Sequence, residues 1–476
     1  MSDTARCAEL LTQSETRWSC PPSSRMTTSV LLKVLANALL SGEQETDAAA
    51  ARLGQVLGRN WRWIRPLTRR YLEAFAGHTR PRRREVVSFL GADTGFTEAL
   101  HKHRHQWVIR RWITGPESMQ PVAAASAWPI PHIETVAALA EWAELTPAEL
   151  YWFADLKGLG YKQPQPRLEH YHYRALAKAT GGIRLIETPK PRLKELQRRI
   201  LGGILDRIPP HPAVHGFVKG RSIQTFAAPH VGQRVVLRMD LEDFFPTFPG
   251  ARVQSFFRTI GYPEPVADLL GGIATNCVPR GAWREASKQA GVAQIGVALD
   301  PQELWQVRAT YARPHLPQGA PTSPSLANLC SYRLDCRLSG LAHAAGAVYT
   351  RYADDLAFSG GEDFNRSVRR FTLYVAVILR EEGFAVHHRK TRIMRQSVRQ
   401  HLAGLVTNQR LNVRRADFDL LKAILTNCAR HGPASQNREA RPHFREHLVG
   451  RLGFIESVHP EKGRRLRAIF DKITWE

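Results

Sequence analysis

The sequence predicts an α+β fold that follows an α-helical N-terminal domain. Residues 1–165 carry apolar side chains at helical spacing, most clearly in Ile133–Asp155, where Thr146-Pro147 is typical of a helix cap and first turn. After the Pro-rich break at Gly160–Arg167, segments typical of strands alternate with segments typical of helices. The pattern therefore separates a helical region from a mixed one.

The charge of the chain favours a polyanionic partner. Of its 476 residues, 67 are Lys or Arg and 43 are Asp or Glu, which gives a formal net charge of +24. Solubility needs no such excess of one sign, and a bias this large on a folded chain is typical of nucleic-acid binding. Because no apolar run approaches the ~20 residues that span a bilayer, we expect no membrane association.

The N-terminal residues and the cysteines indicate a cytoplasmic protein. Met1–Gln13 is polar and of mixed charge, without the apolar stretch of a secretory signal. The six cysteines form neither a CxxC pair nor an even framework. We therefore expect reduced thiols and no structural zinc.

Aromatic and basic residues are interleaved in Arg59–Phe75 and precede a further basic run at Arg80–Glu85. Such a face could contact phosphates while its rings stack on bases. Alternatively, Trp61, Trp63 and Tyr71 belong to a core and the arginines are merely solvated. The sequence favours neither interpretation.

Two adjacent carboxylates stand at a predicted hairpin turn. The β-favouring runs Ala347–Tyr352 and Leu356–Phe358 flank Ala353-Asp354-Asp355. Because Asp is a common turn residue, this pair alone is weak evidence for a site.

A third carboxylate ends a predicted buried strand. The segment Val235–Phe248 begins with apolar residues and reaches Asp240, which is followed by an acidic and aromatic turn. Together with Asp354 and Asp355, this carboxylate could hold two Mg²⁺ ions roughly 3.5–4 Å apart. Mg²⁺ suits such a site because it uses few protein carboxylates and completes its shell with water and phosphate oxygens.

A glycine-containing loop lies between these segments in the sequence. His315–Leu329 contains Pro-Gln-Gly-Ala-Pro and leads into a predicted helix with an apolar side. Glycine at such a loop lets a nucleotide or a strand approach the backbone closely. We predict that one side of the helix carries Leu326, Leu329, Cys330, Leu334 and Leu338.

In this order, the segments MDLEDFF, PQGAPTSP and YADD resemble the palm motifs of reverse transcriptases, specifically those of the bacterial retron and group II intron branch. Gly181–Leu201 resembles the fingers motifs, and Val214–Ile223 the segment before the palm. Gly383–Met394 is similar to the motif after the YADD helix, and Arg399–Arg415 to the primer grip and thumb entry. The resemblance spans roughly residues 170–476.

The resemblance implies a right-hand polymerase of fingers, palm and thumb behind the helical domain. On this basis, residues 1–165 are the helical extension, 166–234 the fingers, 235–395 the palm with an insertion at about 275–315, and 396–476 a helical thumb. It also implies an RNA-directed DNA polymerase that uses two Mg²⁺ ions and dNTPs on a structured non-coding RNA and on an RNA–DNA duplex.

The metal ligands and the dNTP selectivity follow from the same resemblance. Asp240, Asp354 and Asp355 match the metal carboxylates, and Phe245 matches the aromatic gate that excludes a ribose 2′-hydroxyl. Core packing is the alternative for Phe245.

Four further residues match substrate contacts. Arg184 matches a finger residue near the triphosphate, where its forked donors suit phosphate. Gln318 and Gly319 match the loop under the nucleotide and template, and Lys390 matches the proposed proton donor to pyrophosphate. Plain contact with backbone phosphates is the alternative for Arg184 and Lys390.

Two segments depart from the retron pattern. Retron enzymes typically have Asn-Ala-x-x-His before the palm, where this chain has Phe226-Ala227-Ala228-Pro229-His230, and Val-Thr-Gly near the thumb, where it has Leu402-Ala403-Gly404. Both elements are associated in the family with handling a structured RNA.

Three hypotheses for the function therefore remain open. The first is retron synthesis of a branched RNA–DNA product in antiviral defence, with an effector encoded nearby. The second is a defence-associated polymerase that makes DNA without the branch. The third is a catalytically silent RNA-binding scaffold, which the intact Asp240, Asp354 and Asp355 disfavour because like charges are costly to retain without metal.

Overall fold

A computed structural model of the chain describes residues 27–41, 44–76, 81–113, 118–163, 165, 167–177, 183–282, 285 and 308–475. The predictions on Met1–Gln13, on Cys7 and Cys20, and on most of the insertion at 275–315 lie outside these residues. By its contacts the chain forms two compact units, residues 1–208 with 249–321 and residues 209–248 with 322–476. Each unit joins two segments that are distant in sequence, so the units do not correspond to the predicted helical, fingers, palm and thumb segments. The bounds of those segments therefore stay predictions.

The first unit begins with helices, as predicted. Every regular element described before Tyr171 is helical, and Thr146 caps its helix through a reciprocal capping box with Glu149. The α-helices of this unit are Thr28–Leu40 (α1), Thr46–Leu57 (α2), Ile64–Ala74 (α3), Arg83–Ala92 (α4), Thr94–His103 (α5), Val136–Ala143 (α6), Pro147–Ala154 (α7), Leu159–Lys162 (α8), Pro191–Gly203 (α9), Gly250–Thr259 (α11) and Glu264–Ala274 (α12).

The aromatic residues of Arg59–Phe75 belong to a core. Tyr71 is buried, and Trp61 and Trp63 are half-buried against the apolar cluster of α1–α5. Two arginines form ion pairs, Arg65 with Asp47 on the surface and Arg70 with the nearly buried Asp93. The structure therefore favours the core interpretation of this segment over base stacking.

The only strands described in the first unit form an antiparallel hairpin, Tyr171–Ala177 (β1) and Ile183–Pro189 (β2). The burial of β2 alternates along the strand, so that Ile183, Leu185 and Glu187 point inward and Arg184 points outward. The hairpin thus presents Arg184 on its exposed face.

The second unit is built around a four-stranded antiparallel sheet. Its strand order is β4-β5-β3-β6, with the predicted strand and the predicted hairpin as neighbours. The strands of this unit are Val235–Asp240 (β3), Ala347–Tyr352 (β4), Asp355–Gly360 (β5), Arg392–Arg395 (β6), His401–Leu402 (β7) and Leu405–Val406 (β8). Its α-helices are Ile223–Ala227 (α10), Ser323–Cys330 (α13), Tyr332–Ala344 (α14), Glu362–Glu381 (α15), Arg415–His431 (α16), Phe444–Val458 (α17) and Pro460–Phe470 (α18).

One predicted helix is in fact two. The apolar stretch from Leu326 to Leu338 is divided at Ser331, which ends α13 and precedes α14. Leu326, Leu334 and Leu338 are nevertheless buried as predicted. Because the apolar spacing continues across Ser331, the pattern alone gives no sign of the break.

Among the described residues, none of the helices combines the length and the apolar character needed to cross a bilayer.

A buried ion pair connects β4 to α14, and a hydrogen bond from its arginine extends the connection to α13. The side chains of Arg351 and Asp335 are both fully buried, with Arg351 Nη2 2.6 Å from Asp335 Oδ2 and Nε 2.8 Å from Oδ1. The Tyr349 hydroxyl donates to Asp335 at 2.8 Å, and Arg351 donates to the Asn328 side chain at 3.1 Å. These partners satisfy the charges that burial removes from water.

We predict that Asp335→Ala lowers the free energy of unfolding by about 3–5 kcal/mol, because it leaves the Arg351 guanidinium buried without its counter-ion. Urea unfolding followed by circular dichroism measures the change. Asp419→Ala is the control, since Asp419 pairs with Arg415 on the surface at 3.4 Å, and we expect a loss below about 1 kcal/mol there. Equal losses in the two variants would contradict the structural role of the buried pair.

Candidate active site

The sheet register places two of the three predicted carboxylates opposite each other. In the antiparallel pair β3–β5, Asp240 is the partner of Asp355. The hairpin β4–β5 pairs Tyr352 with Asp355, so that Ala353 and Asp354 alone form its loop. Asp355 is therefore a strand residue, whereas the sequence placed it at the tip of the turn. Asp240, Asp354 and Asp355 meet at one end of the sheet.

The hairpin loop is held in a backbone conformation that side chains disfavour. Ala353 has a φ of +55°, a left-handed value that usually selects glycine. Its carbonyl accepts a hydrogen bond from buried Arg351 at 3.2 Å, and the Asp354 carbonyl accepts one from the Leu241 amide at 3.0 Å. Gly216 packs so closely that a Cβ there would lie 2.6 Å from the Ala353 nitrogen. The surroundings thus fix the loop that carries Asp354.

Two cations of the same unit pair with the carboxylates. Lys390 Nζ lies 2.8 Å from Asp240 Oδ1, and Arg238 donates to Asp355 Oδ1 at 2.7 and 2.9 Å. Arg238 and Asp240 are two apart on β3, so strand alternation directs both side chains to the same face. Asp240 is only 5% exposed.

The pKa of Asp354 reflects both its burial and the neighbouring carboxylates. Burial raises the pKa of Asp354 to about 6, with further upward contributions from the charges of Asp240 and Asp355. Burial also raises the pKa of Asp355, although the Arg238 guanidinium counteracts it. A divalent cation would relieve this repulsion, since it favours the ionised form of every carboxylate around it.

The donor set fits Mg²⁺ by its chemistry, since all three side chains offer the hard carboxylate oxygens that this ion prefers. Within the part of the chain that the structure describes, however, no group of three His, Cys, Asp or Glu side chains is arranged as a finished metal site. One oxygen of Asp240 faces Lys390, and one oxygen of Asp355 faces Arg238.

Phe245 and its neighbour Phe244 have different environments. Phe244 is buried and stacks on Phe384, with ring centroids 6.0 Å apart. Phe245 is only half-buried, and its ring contacts Phe217, which is 53% exposed, at 6.3 Å. Core packing therefore describes Phe244, whereas Phe245 keeps an accessible ring.

The remaining predicted contacts, Arg184, Gln318 and Gly319, belong to the first unit, where they lie on or beside β2. Arg184 is exposed on β2. The Glu187 amide on the same strand donates to the Gln318 carbonyl at 2.8 Å. Gly319 has a φ of +130°, and a Cβ there would lie 2.8 Å from the Glu187 carbonyl. The glycine is thus required by close packing of the loop on β2.

The loop that carries Gln318 and Gly319 is held by a buried pair of an acid and a base. Glu187 and His315 are both fully buried and 2.9 Å apart, and Asn276 donates to Glu187 at 2.7 Å. Glu187 raises the pKa of His315 against the opposing effect of burial. His315 lies three residues before Gln318, so the pair holds the start of the loop.

Sequence reasoning missed several of these residues. The alternation of β3 could have indicated Arg238, because it shares a strand face with Asp240. Asp335 and Arg351 carry no local signal, since their pairing joins a helix to a strand. His230 was noted only as part of a family segment, and the structure places it inside the sheet region, fully buried.

Comparison with known proteins gives one consistent result. The family described as reverse transcriptase (RNA-dependent DNA polymerase) matches residues 176–409, a range that includes all eight predicted site residues. The retron Mx65 reverse transcriptase of Myxococcus xanthus is 40% identical over 311 residues, covering 65% of this chain and 66% of that relative.

Two further relatives carry the same description. The retron Mx162 reverse transcriptase of Myxococcus xanthus is 35% identical, covering 72% of this chain and 70% of the relative. The retron Ec86 reverse transcriptase of Escherichia coli is 31% identical, covering 61% of this chain and 77% of the relative. A solved foamy viral protease-reverse transcriptase with double-stranded DNA aligns to 82% of this chain and 56% of its own at 15% identity, with a TM-score of 0.30 that supports no structural conclusion.

We predict that Asp354→Asn stabilises the metal-free protein in a pH-dependent manner. Between its usual pKa near 3.8 and its folded pKa of about 6, Asp354 binds more protons in the folded state, so the stability of the native protein falls as pH rises through this window. Asn has no such dependence. The variant should match the wild type near pH 3 and exceed it by roughly 2–3 kcal/mol above pH 6.

Urea unfolding in EDTA across pH 3–8 measures the difference. Asp363→Asn is the control, because the Asp363 side chain is 98% exposed. A stability difference for Asp354→Asn that does not change with pH would contradict the raised pKa of Asp354.

Proposed function

Since the chain belongs to the bacterial retron-type reverse transcriptases and is an RNA-directed DNA polymerase, we propose that it copies a structured non-coding RNA into DNA at Asp240, Asp354 and Asp355. The observation that carries the proposal is the strand register, which sets Asp240 opposite Asp355 beside the loop of Asp354. The regions aligned with this chain cover about two thirds to three quarters of the relatives' length.

The three carboxylates would hold two Mg²⁺ ions, which supply activation of the primer hydroxyl and neutralisation of the triphosphate charge when bound. Arg238 keeps Asp355 ionised and oriented through its two hydrogen bonds. Lys390 orients Asp240 through its hydrogen bond of 2.8 Å, and we assign it the delivery of a proton to the leaving pyrophosphate. The half-buried ring of Phe245 would exclude a ribose 2′-hydroxyl.

We assign the first unit's predicted contacts to the incoming nucleotide. Arg184 is exposed and offers forked donors to a triphosphate. Gln318 and Gly319, held on β2, would support the nucleotide and the template base. The terms fingers, palm and thumb, with the bounds given above, are part of this proposal.

The C-terminal helices are proposed to bind the RNA and the RNA–DNA duplex. Shape, phosphate and 2′-hydroxyl contacts dominate the recognition of such helices, so exposed arginines are suited to it. The exposed arginines of this region are Arg410, Arg414, Arg415, Arg430, Arg438, Arg441, Arg445, Arg464 and Arg465.

A defence-associated polymerase that makes no branched product is the second candidate. It is favoured by the two departures from the retron pattern, at Phe226 and at Leu402-Ala403-Gly404. The first candidate, retron synthesis, includes a branched RNA–DNA product, a role in antiviral defence and an effector encoded nearby.

We predict that a double variant, Asp354→Asn with Asp355→Asn, abolishes DNA synthesis. Loss of the carboxylates removes the metal clamp, so activity should fall at least about a thousandfold, equivalent to roughly 4 kcal/mol of transition-state stabilisation. Sequencing of short single-stranded DNA from cells with the intact locus measures the product, and Asp363→Asn serves as the control.

The product separates the candidates. DNA joined to RNA through a branch supports the retron function, and enzyme-dependent DNA without a branch supports the second candidate. The same DNA in the double variant would contradict the assigned site. An absence of enzyme-dependent DNA with the native chain would contradict both candidates.

We predict that Phe245→Ala weakens the discrimination against ribonucleotides. Removal of the ring opens space for the 2′-hydroxyl, so the preference for dNTPs over rNTPs should fall about 10–100-fold. Single-nucleotide incorporation on a primed RNA template measures kcat/KM for both substrates. Phe256→Ala, at a half-buried aromatic of the first unit, is the control, and an unchanged preference in Phe245→Ala would refute the gate.

A further inference from the structure

His230 is buried where the sheet carries the catalytic hairpin. Its ring is fully shielded from solvent. Nδ1 lies 2.6 Å from the Ser359 hydroxyl and Nε2 lies 2.7 Å from the Thr350 hydroxyl. Thr350 is on β4 and Ser359 is on β5, so one imidazole contacts both strands of the hairpin.

For a neutral His230 ring, the hydrogen bonds decide which nitrogen carries the proton. The Thr350 hydroxyl donates its single hydrogen to the Phe226 carbonyl at 3.0 Å. Nε2 of His230 must therefore donate to Thr350, and Nδ1 is then the acceptor for the Ser359 hydroxyl. The ring is neutral because burial lowers the pKa of His230 to about 3.

The two hydroxyls are diagonal neighbours on one face of the hairpin. Thr350 pairs with Ala357 in the register, and Ser359 lies two residues further along β5. A slip of one residue would turn one hydroxyl to the opposite face and break a bond to the imidazole. The same slip would displace Asp355 from its place opposite Asp240.

Three of the five residues in the segment Phe226–His230 are buried, and only Ala228 and Pro229 between them are exposed. Phe226 and Ala227 are fully buried, and the Phe226 ring packs against Tyr352 with centroids 5.8 Å apart. Tyr352 is the last residue before the hairpin loop. The Phe in place of the family's Asn therefore fills an apolar position.

We propose that His230 is a positioning residue that locks the register of the catalytic hairpin, and that the side chains of Phe226 and His230 support this hairpin instead of contacting RNA. The proposal rests on the polymerase function assigned to Asp240, Asp354 and Asp355. It reassigns two side chains of a segment that the family resemblance links to RNA handling, because Phe226 and His230 have no exposed surface with which to reach an RNA.

The test separates catalysis from RNA binding. The full-length variants are His230→Ala, His230→Gln, Thr350→Val and Ser359→Ala, with His343→Ala as a control at an exposed histidine. DNA synthesis on oligo(dT)-primed poly(rA), which has no structured element, gives kcat and KM. Filter binding gives the Kd for the non-coding RNA of the locus, and hydrogen exchange reports the backbone of residues 347–360.

We expect His230→Ala to lose at least about tenfold in kcat on poly(rA), with the RNA Kd changed less than about twofold. Hydrogen exchange in residues 347–360 should accelerate at least about tenfold. His230→Gln should recover part of the activity, because an amide can both donate and accept. Thr350→Val and Ser359→Ala should each show a smaller loss of the same kind.

Two results would overturn the proposal. One is normal kcat on poly(rA) with weakened RNA binding, which would make His230 an RNA-handling residue. The other is unchanged hairpin exchange in every variant. If His230→Ala does not fold, the nearly isosteric Thr350→Val carries the test. If the native chain is inactive on poly(rA), the proposed function fails, while hydrogen exchange still decides the role of His230.

Discussion

Asp240 and Asp355 face each other across two antiparallel strands, with Asp354 in the adjoining loop. Like charges in this arrangement repel, and burial strengthens the repulsion by removing the water that screens it. The sheet therefore holds an arrangement that its own electrostatics oppose. Much of the second unit can be understood as the set of contacts that maintains it.

Those contacts form two groups. Lys390 and Arg238 neutralise carboxylates directly at the end of the sheet. Further from the carboxylates, Arg351 and His230 use hydrogen bonds to fix the hairpin backbone, one at the Ala353 carbonyl and one across both strands. The first group consists of charged side chains that pair with the carboxylates, whereas Arg351 and His230 of the second are fully buried. The charged pairs at the end of the sheet thus depend on buried hydrogen bonds that fix the hairpin backbone.

Local patterns predicted the parts of this arrangement that depend on neighbouring residues. The strand ending at Asp240, the hairpin around Asp354 and the cap at Thr146 were confirmed because β-propensity, turn chemistry and capping act over a few residues. The break at Ser331 and the pairing of Asp335 with Arg351 were not foreseeable from these patterns. Both depend on which distant surfaces meet in the folded chain, which periodicity does not encode.

If His230 and Phe226 serve the hairpin, the recognition of a particular RNA must come from elsewhere on the chain. The exposed arginines between Arg410 and Arg465 can supply affinity, but contacts to phosphate carry little information about sequence. Discrimination would then come from the folded shape of the RNA, against which fixed positive charges match or fail to match. A polymerase organised in this way can change its RNA by altering surface residues, because the buried bonds that hold Asp240, Asp354 and Asp355 in place take no part in that choice.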